Sequence, residues 1–375
     1  MTKPHFIVAR ASLAAVLARM QSVVEKRGMI PILANVRIHV GDGVMECTAT
    51  DMEMAVSDSA KVDVRNGGSM TLPAHTLYDI VRRLPDDSQV EIMQETSSRA
   101  KIKADNSVFS LATLPADEFP ALAEGELPYN FTLTREELRA LVEKTRFAMS
   151  TEETRYYLNG VYLHPIETEE LRVLRAVSTD GHRLCRMDVA LPAGAAGMGG
   201  AIIPRKTIAE LSRLLDQDAP EVRVALGDNK ARFVCGTAVL VSKLIDGTYP
   251  DYTRVIPQYN DKNIDIPAVA LAKAVDRVSI VASDKTRATK FYVENNKLML
   301  SVAASDNNTA EETLDVQFNH PEAITTGFNA RYMLEVLGQI EGNVVRFILD
   351  DGTGPAILCD PEDLGPLFII MPMRV

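Results

Sequence analysis

The chain has 375 residues, 46% of them apolar and 24% charged, and a formal net charge of −11. That length exceeds what one core supports and points to two or three domains, while four scattered cysteines, Cys47, Cys185, Cys235 and Cys359, exclude a disulfide framework and a C-x-x-C metal site. No run approaches the roughly 18 apolar residues of a membrane helix and the N-terminus lacks a signal-peptide pattern, so a cytoplasmic protein is expected. Taken whole, the acidic balance speaks against a phosphate-rich partner.

In chain order, "FIVAR" reads as a strand, and Leu13, Val16, Leu17 and Met20 at i, i+3, i+4, i+7 predict a helix. Strand-like "VRIHV" and "MECTATDMEMAVS" follow, then a second helix with Leu77, Ile80, Val81 and Leu84 on one face. After "SVFSLATL" the acidic, Gly- and Pro-bearing "AEGELPYN" marks a junction. The series then restarts. "FTLTR" leads into Leu138, Leu141, Val142 and Thr145, "VYLHP" and "LRAVSTDGHRLCRM" read as strands, and "AIIPRKTIAEL" opens a helix with Ile208, Leu211, Ser212 and Leu215. A second junction, "IPQYNDKNID", precedes a third round: "IDIPA", Leu271, Ala274, Val275 and Val278, strands "FYVEN" and "LSVAASDNNTAEE", and a helix with Met333, Val336, Leu337 and Ile340.

The first helices recur after 125 and 133 residues, the second helices after 131 and 125, and Asp51, Asp180 and Asp306 after 129 and 126. A period this long is a domain repeat, because each unit can bury a core of its own. The expectation is three α+β domains, 1–126, 127–257 and 258–375, each with two helices packed on β-sheet. Such an array leaves a strand edge open at each end, and head-to-tail pairing of two chains would cover both edges and close a ring. Phe109 and Leu111 in the first unit and Ile280 and Val281 in the third are the candidate edge residues, though the same pattern fits ordinary core. Charge is also sorted: the six helical segments sum to +8, leaving −19 for the rest. A cationic helical layer could hold a polyanion without sequence preference, or could simply be solvated.

Little enzyme chemistry is written in the chain. "STDGHRLCRM" brings Asp180, His182 and Cys185 close in sequence, and it reads either as an acid–base site or as a turn opened by Asp180 with Gly181 in a difficult conformation. The six histidines form no compact ligand pattern and no phosphate-binding glycine loop occurs, so no metal or cofactor is expected. In "TRYYLNG", Arg155 beside Tyr156 and Tyr157 suits phosphates and unstacked bases, and suits packing equally.

"RYYLNG", "TDGHRL", "IPRK", "DGTYPDY" and the closing "MPMR" together resemble the bacterial DNA polymerase III beta subunit family, the sliding clamps, over the whole chain. The resemblance implies a head-to-tail homodimeric ring, three clamp domains per subunit, with helices around duplex DNA and sheets outside. It implies a non-catalytic processivity factor that tethers the replicative polymerase alpha subunit and also meets clamp-loader subunits, repair polymerases and other clamp-motif proteins. Carried over by position, one hydrophobic pocket for partner peptides would use Leu158, Thr179, Gly181, His182, Arg183, Leu184, Pro250, Arg254, Val255, Ile369, Met371, Pro372, Met373 and Arg374. Methionines suit a pocket that serves many ligands. Arg27, Tyr156 and Tyr157 would contact DNA, and Phe109 and Leu111 would meet Ile280 and Val281 of a second copy. "LPAHTL" offers His75 and Thr76 where the family has a cation, and Val375 stands where leucine is common. The rival readings are a hydrolase built on Asp180 and His182, and a multidomain protein-binding scaffold that never meets DNA. In the tail "LFIIMPMRV", "LFII" should complete a strand that Pro372 stops, since proline has no N–H to donate.

Overall fold

The computed structural model describes residues 3–25, 29–122, 125–282, 288–304 and 307–375. Among them six α-helices form on the apolar stripes: α1 Arg10–Met20, α2 Ala74–Val81, α3 Arg135–Glu143, α4 Arg205–Leu214, α5 Ala268–Val278 and α6 Ala330–Leu337. Proline ends the strand before three of them, with Pro73, Pro204 and Pro267 at φ −57°, −60° and −59° as the last non-helical residue. For α6 the side chain of Asn329 caps instead, accepting from the Arg331 and Tyr332 amides.

Several stripes outrun their helices. Leu84 and Leu215 are buried and Ile340 is half-buried, yet all lie past the last helical residue. The reason is visible after α2, where Arg83 N donates to Ile80 O at 3.0 Å and Leu84 N to Val81 O at 3.3 Å. The chain keeps turning with tighter bonds, so the next apolar residue still faces inward. Thr145 likewise lies beyond α3, fully buried, its hydroxyl donating to Leu141 O at 2.6 Å.

The contacts divide the chain into two compact units, Met1–Arg139 with Pro192–Ile245, and Ala140–Leu191 with Asp246–Val375. In the first, five antiparallel strands run in the order Asp63–Asn66, His5–Ala9, Gln89–Thr96, Arg99–Ala104, Ser107–Ala112. A second sheet of eight strands joins Met54–Lys61 to Ala238–Lys243 edge to edge, so strands of the first and second repeats share one hydrogen-bonded ladder. Asp58 sits fully buried at that junction. It accepts from Arg19 Nε of α1 at 2.6 Å, Thr237 Oγ1 at 2.7 Å and Ser59 N at 2.8 Å. In the second unit, seven strands run in the order Gly160–Glu167, Arg172–Thr179, Arg183–Ala190, Asp363–Ile370, Ala356–Asp360, Val344–Leu349, Lys262–Pro267. Here Arg183–Ala190 pairs with Asp363–Ile370, joining the second repeat to the third. A four-stranded sheet, Thr309–Asp315, Lys297–Ala303, Ala288–Glu294, Ile324–Asn329, completes the unit.

The repeat extends to single hydrogen bonds. Asp51 Oδ1 accepts from Glu53 N and Met54 N (3.0 and 2.8 Å), and Asp180 Oδ1 accepts from His182 N and Arg183 N (2.9 and 3.0 Å). Thr50 and Thr179 donate their hydroxyls to the carbonyls of Met54 and Arg183. The residue after each Asp takes positive φ, 74° at Met52 and 89° at Gly181. Asp306, the third member, lies outside the described residues.

Candidate partner-binding site

The "TDGHRL" turn is a structural turn. Asp180 accepts from the His182 and Arg183 amides and from Arg183 Nε, while the His182 ring stacks on Tyr332 with centroids 6.0 Å apart. No acid–base pair forms between Asp180 and His182, and burial raises the Cys185 thiol far above its ordinary value. The hydrolase reading therefore fails on geometry.

Arg183 is buried and its guanidinium is occupied. It donates to Asp180, to Glu335 of α6 and to Phe147 O at 2.8 Å, and lies 4.4 Å from the Tyr332 ring centroid and 5.1 Å from that of Phe147. Glu335 is held in turn by Arg331 Nε at 3.0 Å. This places Arg183 as a strut beneath the turn, with its donors aimed inward.

The tail is fastened at two points. Strand pairing runs to Ile370 opposite Arg183, after which Met371 N donates to His182 O at 2.9 Å and Met373 N to Gly327 O at 2.8 Å. Met371, Pro372 and Met373 are half-buried and Arg374 is exposed. Leu158, Leu184 and Ile369 are buried, and Ile369 lies directly opposite Leu184 across the ladder.

The segment 248–255 meets the sheet through Tyr252, whose ring centroid lies 5.8 Å from that of His164. Pro250, Arg254 and Val255 are exposed, whereas Tyr249 and Tyr252 are buried. Gly247 makes a close approach, since a Cβ there would lie 3.3 Å from Tyr157 Cβ. Tyr252 reaches a polar row that crosses three strands in register, His164 opposite Arg175 opposite Asp188. Arg175 Nε and Nη2 each donate to Asp188 at 2.7 Å, Arg175 Nη1 donates to the Tyr252 oxygen at 3.4 Å, and His164 Nε2 lies 3.0 Å from that oxygen.

Burial is the main influence on His164 and pulls its pKa below 6.5, against the hydrogen bond to Pro165 O and with the Arg175 charge adding to the drop. The unfolded chain thus takes up this proton at higher pH than the folded one. The network's contribution to stability is complete above about pH 6.5 and is lost as pH falls through the lowered folded value. Thermal melts across that range should show Tm falling with acidification, and His164→Gln should flatten part of the slope.

Of the residues expected at DNA, Tyr156 is exposed and Tyr157 half-buried, their rings edge to face at 5.8 Å, and Arg27 lies outside the described residues. The raw helical charge overstates the field available to a polyanion. Arg10 pairs with Asp86, Arg19 with Asp58, Arg139 with Asp216, Lys206 with Asp51 and Arg277 with Glu312. Each removes one cation from the excess that the segment count suggested.

The edge candidates separate by exposure. Ser107–Ala112 is the outer strand of its sheet, with Phe109 and Leu111 half-buried on one face. Thr76, Asp79, Ile80, Arg83 and Leu84 from the α2 region join Ser107 and Phe109 around a cavity of 340 Å³. Ile280 is 74% exposed, whereas Val281 packs against the core of its own unit.

Two helices per repeat backed by continuous antiparallel sheet, with the most reactive-looking turn consumed by its own backbone, define a clamp-type fold built for holding. The N-terminal, central and C-terminal domains of the DNA polymerase III beta subunit match residues 4–123, 132–251 and 253–374. The Caulobacter vibrioides beta sliding clamp is 42% identical over 369 residues, covering 98% of this chain and 99% of that protein; the Escherichia coli K12 beta sliding clamp is 36% identical over 375 residues, covering 99% and 100%. A crystal structure of the C. crescentus beta sliding clamp superposes with TM-score 0.95 at 41% identity, and the Bartonella birtlesii clamp bound to griselimycin with TM-score 0.96 at 40%, each covering 100% of both chains. The chain belongs to the DNA polymerase III beta subunit family, the bacterial beta sliding clamps. It is a DNA sliding clamp: a non-catalytic processivity factor. Among the described residues no helix is long and apolar enough to cross a membrane.

Proposed function

We propose that two copies close head to tail around duplex DNA, with Phe109, Leu111 and the cavity beside α2 of one copy receiving Ile280 of the other. A domain border at 126/127 falls in the gap between the first two matched spans, and one at 257/258 lies a few residues inside the third, which begins at 253. Arg27, Tyr156 and Tyr157 face the duplex, and non-specific phosphate contacts keep no register, so the ring slides. The ring works in the cytoplasm, where the replicative polymerase alpha subunit, clamp-loader subunits, repair polymerases and other clamp-motif proteins compete for one pocket per subunit.

That pocket is formed by Leu158, Thr179, Gly181, His182, Leu184, Pro250, Arg254, Val255, Ile369, Met371, Pro372, Met373 and Arg374, over the buried strut Arg183. The observation that carries it is the bond from Met371 N to His182 O, which fastens the methionine-bearing tail to the "TDGHRL" turn. Thr179, Leu184 and Ile369 add a shared sheet face, since Leu184 pairs with both of the others. Griselimycin is the natural probe, because a related clamp binds it. Val255→Arg should weaken griselimycin by about tenfold or more, the effect of about 1.4 kcal/mol, and Phe109→Ala should leave it unchanged. Wild-type affinity in Val255→Arg would place the pocket elsewhere.

A further inference from the structure

The segment 248–255 has no backbone hydrogen bond to any other segment among the described residues, yet two of its side chains are deeply buried. Its place on the sheet is therefore set by side chains. Tyr249 stacks on Tyr162, centroids 4.7 Å apart and planes 5° from parallel, and Tyr162 stacks in turn on His164 at 4.6 Å. Tyr252 closes a directional chain. His164 Nδ1 lies 3.2 Å from Pro165 O, so it carries the ring hydrogen and Nε2 is free to accept from the Tyr252 hydroxyl; that oxygen accepts from Arg175 Nη1, whose other donors are spent on Asp188.

Strand alternation puts this network where it matters. Along Arg172–Thr179, Arg175 and Thr179 point to one face; along Arg183–Ala190, Leu184 and Asp188 do. The polar row and the pocket floor thus occupy the same face of one sheet. The segment spans both, burying Tyr249 and Tyr252 while leaving Pro250, Arg254 and Val255 outward.

We propose that Tyr249 and Tyr252 are positioning residues: paired anchors that hold the 248–255 segment against the sheet so that Pro250, Arg254 and Val255 stand as a preformed wall of the pocket. This rests on the pocket reading above. Its consequence is that the wall is ordered before a ligand arrives, which spares part of the ordering cost of binding. The Tyr252 hydroxyl, held by His164 and Arg175, then acts on affinity from beneath.

The test measures griselimycin affinity and amide exchange in the dimeric full-length protein. Tyr252→Phe and His164→Leu should each lower affinity about tenfold, the scale of one net hydrogen bond, while His164→Gln, which restores an acceptor, should stay within about threefold. Exchange at Thr253 and Ile256 should rise in the first two variants and not in the third, with no ligand present. If exchange is unchanged in Tyr252→Phe and His164→Leu, the tether is wrong whatever the affinities show. If exchange rises but neither variant loses affinity while Val255→Arg does, the tether exists and does not serve the pocket. If Val255→Arg binds normally, the pocket reading fails, and the exchange arm alone decides the tether.

Discussion

Ile280→Asp is expected to turn the dimer into folded monomers. Ile280 follows α5 and is 74% exposed in the single chain, so a carboxylate there costs the isolated subunit almost nothing. In the proposed ring the same side chain enters a cleft on a second copy, against Ile80, Leu84 and Phe109 and beside an Arg83 already paired with Asp79, where a buried carboxylate costs roughly 3 kcal/mol. A head-to-tail ring has two such interfaces, so the dissociation constant should rise by about four decades. Val281 is the poorer site for this test, because it is half-buried against the core of its own unit and a charge there would also destabilise that unit. Val269→Asp makes a fair control, as it is 63% exposed on α5. Sedimentation velocity should show monomer for Ile280→Asp with unchanged circular dichroism, and dimer for Val269→Asp. Dimers of both would misplace the interface.

Removal of residues 371–375 should separate fold from recruitment. The last strand pairs through Ile370, so truncation forfeits the Met371 and Met373 backbone bonds, about 1 kcal/mol each, and the partial burial of 371–373, while leaving the ladder intact. The ring should form, while griselimycin and polymerase binding fall by two decades or more, on the order of 3 kcal/mol of lost contact. Gly327→Ala offers a milder version, since a Cβ there would lie 2.8 Å from Met373 O and 2.3 Å from Val375 Cγ1. Displacing the tail should weaken binding with little loss of Tm, read by titration and melting on one preparation. An unfolded truncation product would show that the tail is part of the core.

The helical stripes, the threefold period and the Asp-led turns were readable because each is local: Leu13 to Met20, or Asp180 to Arg183, is decided within one turn of chain. What long-range pairing decides was not. Thr145, Leu84 and Leu215 extended the predicted helices, because inward-facing residues after a helix keep its spacing. The two ladders that join consecutive repeats depend on register across the 54–61/238–243 and 183–190/363–370 pairs, for which the sequence offers no turn signal. The helical count overstated the free charge for the same reason, since Asp58 and Glu312 come from strands dozens of residues from the cations they pair. Arg183 was placed in the pocket by its position in "TDGHRL", and only the position of α6 shows its guanidinium committed to Glu335 and Tyr332. His164, Arg175 and Asp188 carried an alternation signal but no sign that they lie side by side. The family strings supplied the pocket residues, and could not have supplied the tyrosine anchors that hold one of its walls.

The central claim is that a closed ring holds DNA topologically, and one measurement bears on it most directly. The protein is loaded on a nicked circular plasmid, free protein is removed by gel filtration, and the plasmid is then cut once. A ring without base-specific contacts should stay with the circle and run off the linear ends within minutes. Equal retention on circular and linear DNA, or none on either, would contradict the account.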